Sequence, residues 1–246
     1  MNESTTSAAV ASHIPIPASG SYPARAGNRL RLLIDGENAF RRIAEAVEAA
    51  QHSVWLSVNF LLRDFRLPDG RGELFDLLDR AKARGIDIRV LFWRASANSP
   101  GVKESFGKPA DRQRLAARKS SFLIRWDAVP GIYCQHQKFW IVDAGRETET
   151  AFVGGINLAA HSVAPQGHAG EGQFHDLYSE VTGPSATDVH HNFVQRWNGA
   201  SERDRVDGTW GSPNDDLPLP ARISPARGNS LVQIQRQMPA GVYGRT

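Results

Sequence analysis

The sequence predicts an α/β domain in which strands and helices alternate along the chain and pack in layers. Short apolar runs at strand spacing alternate with segments whose apolar residues recur at helical spacing. Glycine and proline turn signals separate these segments. The chain has 246 residues, of which 41% are hydrophobic, so it is long enough to fill one domain with a buried core.

The first half of the chain follows this alternation closely. A strand at residues 29–34 leads through Asp35-Gly36 into a helix whose apolar residues recur at helical spacing. The next helix is predicted to end at Gly85, a residue type that favours helix termination. The predicted strands are 29–34, 53–60, 87–93 and 121–126, and the later helices are 73–84 and 109–118.

The second half continues the pattern with longer loops. Pro184 is suited to a first helical turn and opens a helix with a regular apolar stripe. Residues 95–108 lack periodicity and have the length of a functional loop. The predicted strands are 135–142, 152–157, 173–182 and 230–236, and the predicted helix is 184–198.

Composition divides the chain into four regions. Residues 1–27 are rich in Ser, Ala, Pro and Gly and are interpreted as a disordered leader. Residues 28–199 form the predicted domain, and 200–229 are interpreted as a Pro/Gly-rich linker. A strand pattern begins at Ser230 without an evident pairing partner, so we interpret 230–246 as the start of a missing second half-domain.

Bulk properties limit the classes of function. No apolar run is long enough to cross a bilayer, and the leader has no basic region followed by an apolar core, so neither a transmembrane segment nor a signal peptide is predicted. One cysteine, Cys134, excludes an internal disulfide and is more typical of a small hydrophobe than of a nucleophile. A net charge of +3 and a pI near 9.2 favour an anionic partner.

The stretch 133–157 carries the chemistry. His136 and Lys138 are two residues apart on a predicted strand, so their side chains point to one face, whereas Asp143 points to the other. An imidazole beside a fixed ammonium can attack or protonate a phosphate while the cation holds its oxygens. The sequence therefore predicts a phosphate-handling site around these residues.

A Gly-Gly-x-Asn segment follows this motif. Without side chains at Gly154 and Gly155, we expect a bound anion to approach the backbone closely. The amide of Asn157 offers a further hydrogen-bond donor.

Three histidines at a regular interval raise the question of a metal site. His161, His168 and His175 recur every seven residues, but zinc ligands are usually closer in sequence and the loop between them has no helical pattern. The sequence therefore predicts no metal site, and nothing in it indicates a cofactor.

The arrangement H-x-K-x4-D followed by G-G-x-N resembles the signature of the phospholipase D superfamily. Several flanking segments also resemble the amino-terminal half of a two-motif bacterial phospholipase D-like enzyme: LIDGE at 33–37, His175-Asp176, Gly183-Pro184, FVQRWN at 193–198 and VQIQRQMPAGVY at 232–243. The resemblance implies an α-β-α sandwich with a mixed central sheet. Two-motif members carry a second H-x-K-x4-D, which this chain lacks.

The resemblance also implies roles for the site residues. In the family, one histidine attacks phosphorus to form a phosphohistidine, and the histidine of the other motif protonates the leaving alcohol. His136 would take one of these two roles, while Lys138 and Asn157, with the Gly154-Gly155 backbone, would hold the phosphate. Asp176 matches the acid that bonds the catalytic imidazole. Strand parity, which places Asp143 on the other face, assigns that residue a structural role.

Three functions remain open from the sequence. The first is a phosphodiesterase that hydrolyses or transfers phospholipid headgroups, completed by a second half-domain or a second copy of the chain. The second is a homodimeric nuclease, and the third is an inactive fragment. The expected location is cytoplasmic or peripheral to a membrane.

Overall fold

A computed structural model describes residues 22–94, 109–128, 134–168, 171–203 and 213–237. The predicted loop at 95–108 lies outside the described residues, as does most of the predicted leader. Within the described ranges, no helix combines the length and apolar character that crossing a membrane would require.

Every predicted helix and strand in the described ranges is present, with shifted ends in several cases. The helices are α1 (Gly36–Ala49), α2 (Leu74–Ala83), α3 (Pro109–Arg118) and α4 (Pro184–Gly199). The strands are β1 (Arg25–Ile34), β2 (Ser53–Val58), β3 (Asp87–Trp93), β4 (Leu123–Asp127), β5 (Lys138–Val142), β6 (Thr150–Gly154), β7 (Leu177–Thr182) and β8 (Ser230–Val232).

The strands form one mixed sheet in the order β4-β3-β2-β5-β6-β7-β1-β8. β2, β3 and β4 run parallel to one another, since a helix connects each to the next. The remaining neighbours pair antiparallel. The prediction of an α/β domain with a mixed central sheet is confirmed.

Helices cover both faces of the sheet. One core packs α1 and α2, with Leu115 of α3, against side chains such as Trp140 and Phe152. The other packs α4 against side chains such as Phe139 and Ile141. Alternation along β5 therefore sends Trp140 to the first core and Ile141 to the second, which gives the predicted α-β-α layering.

The described part of the predicted linker is attached to the domain. The Trp197 indole donates to the carbonyl of Asp215 at 2.8 Å, and the Asn198 amide donates to the carbonyl of Leu217 at 2.8 Å. The segment from residue 213 thus contacts the end of α4. The division of the chain into domains stays a prediction.

Two observations bear on the predicted boundaries. β8 has a pairing partner, because it pairs antiparallel with β1 through Arg25–Val232 and Asn28–Ser230. β1 begins at Arg25, so the predicted leader overlaps the first strand by three residues. Sequence patterning missed the pairing because the two strands are separated by nearly the whole domain.

Candidate active site

A cleft of about 620 Å³ opens beside the ends of two central strands, where β5 begins and β6 ends. His136, Lys138 and Gly154 line it, together with residues of α4 and of the segment 234–237. Lys138 pairs with Gly154, and Gly154 pairs in turn with Tyr178 of β7. The cleft is therefore built where three adjacent strands end.

His136 lies just before β5, not within the strand as predicted. Its ring is exposed and meets the ring of Phe60 edge to face at 5.9 Å. Lys138 is only 5% exposed, and its Nζ donates to the carbonyl of His136 at 2.9 Å. The histidine is thus accessible from the cleft, while the lysine is anchored beside it.

Burial and the neighbouring charge set the protonation of this pair. Burial, followed by the Lys138 ammonium, lowers the pKa of His136 below its usual value near 6.5. Burial lowers the pKa of Lys138 to about 8, against the opposing effects of Cys134 and Asp176. At pH 7 the imidazole is mainly neutral and the lysine mainly charged, which suits attack on a phosphodiester by the one and charge stabilisation by the other.

Polar side chains of β2 and the turn after it hold the chain before β5. The Asn59 amide donates to the carbonyl of Gln135, and the Gln135 amide donates to the Ser57 hydroxyl. The Ser57 hydroxyl in turn donates to the carbonyl of Gln137 at 3.4 Å. These side chains take the place of strand pairing there, which explains why β5 starts at Lys138. Sequence reasoning missed them because their partners are about 80 residues away.

The Gly154-Gly155 pair allows Leu177 and Asp176 to approach the backbone closely. A Cβ on Gly154 would lie 2.3 Å from the Leu177 carbonyl oxygen, and one on Gly155 would lie 2.4 Å from Asp176 Oδ2. The Gly155 N–H donates to the Leu177 carbonyl at 3.1 Å. Close approach of β7 is thus what requires glycine here, whereas the sequence suggested room for an anion. Phosphate binding by this backbone stays a prediction.

Asp176 sits at the start of β7 and is held by that strand. Its Oδ1 accepts from the Leu177 N–H at 2.7 Å, and its carbonyl accepts from the Asp35 N–H at 2.9 Å. Within the described ranges, no hydrogen bond joins its carboxylate to the His136 ring, so the predicted bond is not formed in this structure. The carboxylate acts on the site through its charge, which raises the pKa of Lys138.

Asn157 follows β6 in the connection to the next loop and is not among the residues that line the cleft. Its side-chain Oδ1 is buried and has no hydrogen-bond partner among the described residues. An unpaired buried amide oxygen is costly, and no residue in the described ranges offers a compensating hydrogen bond. Phosphate binding by Asn157 stays a prediction.

Asp143 lies just beyond the opposite end of β5 from His136. Its Oδ1 accepts from the N–H groups of Gln51 and His52 at 3.0 and 2.7 Å, and its Oδ2 accepts from the Thr148 hydroxyl at 3.1 Å. The carboxylate therefore ties the turn after β5 to the start of β2. Asp143 is therefore separated from the His136 imidazole by the length of β5, as well as by the face of the strand on which it lies.

A chain of hydrogen bonds links the motif to the last described segment. The Asn192 amide donates to Gln137 Oε1 at 3.0 Å, and Arg236 Nη1 donates to Asn192 Oδ1 at 2.8 Å. All three residues line the cleft. Sequence reasoning did not identify them, because an Asn on a helix and an Arg after a strand carry no motif.

The three evenly spaced histidines separate in the structure. His161 packs edge to face against Phe174 at 5.0 Å. His168 and His175 instead meet at the buried carboxylate of Asp35. The sequence did not indicate Asp35 as their partner.

Comparison with protein families places these residues in a wider context. A family model described as "Cardiolipin synthase, PLD-like domain" matches residues 43–173. This range includes His136, Lys138, Asp143 and the Gly154-Gly155 pair.

Two curated proteins and one solved structure illustrate the similarity. Cardiolipin synthase A of Pseudomonas entomophila (strain L48) is 28% identical over 190 residues, which is 76% of this chain and 37% of that protein. Phospholipase D beta 2 of Arabidopsis thaliana is 29% identical over 213 residues, covering 67% of this chain and 23% of that protein. The crystal structure of Nuc, a phospholipase D family member from Salmonella typhimurium, matches 70% of this chain and 96% of its own at 19% identity and a TM-score of 0.47.

Proposed function

Since the chain belongs to the phospholipase D superfamily through its PLD-like domain, we propose that it supplies one half of a phosphodiesterase active site that acts on phospholipid headgroups. The observation that carries the proposal is the pair formed by His136 and Lys138. An accessible imidazole with a lowered pKa lies beside a buried ammonium on the wall of an open cleft. The protein would meet its substrate at a membrane surface as a peripheral partner.

The proposed reaction begins with attack by a ring nitrogen of His136 on phosphorus. A nitrogen–phosphorus bond forms as the bond from phosphorus to the headgroup oxygen breaks, and that oxygen takes a proton from a general acid. Water, or another alcohol, then attacks phosphorus and releases the histidine. Lys138 stabilises charge on the nonbridging oxygens, and its burial strengthens this interaction.

One histidine cannot supply both the nucleophile and the proton of the same step. The sequence contains a single H-x-K-x4-D, and the chain spans about 37% of the length of the cardiolipin synthase it matches. We therefore propose that a second motif, from another half-domain or a second copy of the chain, supplies the acid. A positioned proton donor is typically worth about 10²–10⁴-fold in rate, so an isolated monomer would be nearly inactive.

A homodimeric nuclease is the second candidate function. The pI of about 9.2 and the single motif favour it, because a basic protein attracts the nucleic-acid backbone and two copies would supply two motifs. The two candidates share their chemistry and differ in the alcohol that leaves.

The test measures hydrolysis of bis(p-nitrophenyl) phosphate, phosphatidylcholine vesicles and a single-stranded oligonucleotide by fractions separated by size. We expect turnover of the lipid only in fractions that contain a second motif, and its loss in His136→Ala. His52→Ala is the matched control, because His52 is exposed on the turn before β2, away from the cleft.

Two outcomes would contradict the proposal. Strong turnover that depends on His136 in the monomer fraction would refute the half-site. Cleavage of the oligonucleotide alone would favour the nuclease. Inactivity of a dimer fraction would exclude completion of the site by a second copy and leave another half-domain as the source of the second motif. Trapping acid-labile phosphate on His136 with a ³²P-labelled substrate would identify it as the nucleophile.

A further inference from the structure

The buried carboxylate of Asp35 is shared by two imidazoles. Asp35 is 2% exposed, and its Oδ1 lies 2.7 Å from His175 Nδ1 while its Oδ2 lies 2.9 Å from His168 Nε2. The three groups present one donor atom each within 4.8 Å of one another. Two imidazoles and one carboxylate form a donor set that divalent transition metals prefer.

Asp35 occupies a helix-capping position without capping the helix. It precedes α1, where an aspartate side chain usually accepts from a backbone N–H of the first turn. Here the carboxylate makes no such bond, and the Glu37 N–H donates to the Ala164 carbonyl at 3.0 Å. The carboxylate is thus turned away from the helix and towards the two histidines.

The loop that carries the histidines is fixed close to this carboxylate. A Cβ on Gly36 would lie 1.8 Å from the Ser162 carbonyl oxygen, so the loop packs directly on the helix start. The Asp35 N–H donates to the Asp176 carbonyl at 2.9 Å, which fixes the other end of the loop. Between these two attachments the rings of His168 and His175 come within 4.2 Å of each other, centroid to centroid.

We propose that Asp35, His168 and His175 bind one divalent transition metal ion of the zinc class. The ion would lie between the three donor atoms and would replace the hydrogen bond between His175 Nδ1 and the carboxylate, and solvent would supply its remaining ligand. Bonds of about 2.0–2.2 Å require small movements of the donors. The histidine side chains are 52% and 60% exposed, so they can make these movements without disturbing the core.

The site is distinct from the cleft but next to it in the chain. None of the three ligands lines the cleft, whereas His175 directly precedes Asp176, whose charge acts on Lys138. Metal binding would tie the loop of His168 to the start of α1 and so fix the start of β7. Because the three ligands lie outside the cleft, the proposal does not depend on the phosphodiesterase function.

The test uses the untagged full chain, stripped with EDTA, dialysed against Zn²⁺ and analysed for bound metal. We expect one zinc per chain in the wild type and its loss in His168→Ala and His175→Ala. His161→Ala is the matched control, because it removes a histidine of the same loop that packs on Phe174 outside the cluster. His136→Ala should also keep its zinc, which separates this site from the catalytic one.

Two further measurements make the result decisive. Saturating Zn²⁺ should raise the Tm by roughly 5–10 °C in the wild type and in His161→Ala, and should leave His168→Ala unchanged. Co²⁺ should give ligand-field absorption of imidazole coordination in the same two proteins. Substoichiometric zinc in the wild type, or equal binding by both ligand variants and the control, would overturn the proposal.

Discussion

At the scale of single residues, the burial of Lys138 changes its protonation equilibrium. Its Nζ is held against the His136 carbonyl in a largely buried position, and that burial lowers its pKa to about 8. Because the folded state disfavours the protonated form, the lysine reduces stability at neutral pH. The contribution of Lys138 to the free energy of unfolding becomes more favourable as pH rises from about 8, its pKa in the folded protein, towards about 10.5, its pKa in the unfolded chain.

The pH dependence of activity follows from the same shift. Under the proposed mechanism, we expect kcat/KM to fall by about tenfold per pH unit above pH 8, because Lys138 would have to be charged to stabilise the phosphate. Lys138→Arg should work more slowly yet keep its rate at high pH, since arginine stays charged. If kcat/KM falls in the same way above pH 8 in both proteins, the loss of activity belongs to the titration of a group other than Lys138.

At the scale of secondary structure, the cleft depends on how β6 meets β7. The Asp176 carboxylate lies in the space that a side chain on Gly155 would occupy. Charge from Asp176 then reaches Lys138 across the three strand ends. The glycine thus acts on the site through the position of a neighbouring carboxylate.

A substitution at this glycine tests the contact. Gly155→Ala should lower the free energy of unfolding by about 1 kcal/mol or less, because its Cβ would lie 2.4 Å from Asp176 Oδ2 and the carboxylate would give up its bond from the Leu177 N–H to move aside. In Gly155→Ala/Asp176→Ala the clash disappears, so the two effects should fall short of additivity by a similar amount. Urea unfolding of the four proteins measures this coupling.

Gly70→Ala is the matched control for that cycle. A Cβ on Gly70 meets no atom within 4 Å, and the cost of about 1 kcal/mol comes from its φ of +69° alone. Its effect should add to that of Asp176→Ala. Full additivity for Gly155→Ala as well would mean that the carboxylate moves aside at no cost.

At the scale of the whole molecule, α4 is enclosed between the sheet and the segment that begins at residue 213. Trp197 is fully buried there. Arg125 is also buried, with Nη1 donating to Asp216 Oδ1 at 2.9 Å. Segment 213–237 therefore packs on α4 and supplies the part of the cleft wall that contains Arg236.

Truncation tests this enclosure. A chain that ends at Gly199 should lose roughly 10 °C or more in Tm, because the buried Arg125 loses its ion pair with Asp216 and α4 loses its outer contacts. The control is a chain that ends at Gln237, which retains these contacts and should melt like the full chain. Equal Tm values for the two would support the interpretation of residues 200–229 as a linker.

The sequence by itself determined the layered α/β fold and the composition of the motif. The apolar run at residues 87–93 places β3 at its observed bounds, because local patterning decides which residues face a core. The short basic helix predicted at 109–118 also matches α3. The two-residue spacing of His136 and Lys138 predicts that their side chains share one face, and both residues line the cleft. These features depend on neighbours in the chain.

Only the tertiary structure decided which distant groups meet the motif. The Gln137–Asn192–Arg236 hydrogen bonds and the partner of β8 join segments separated by 44 residues or more. Likewise, Asp35 reaches His175 across 140 residues. Periodicity within one segment carries no information about such contacts, because the packing of the whole sheet brings them together.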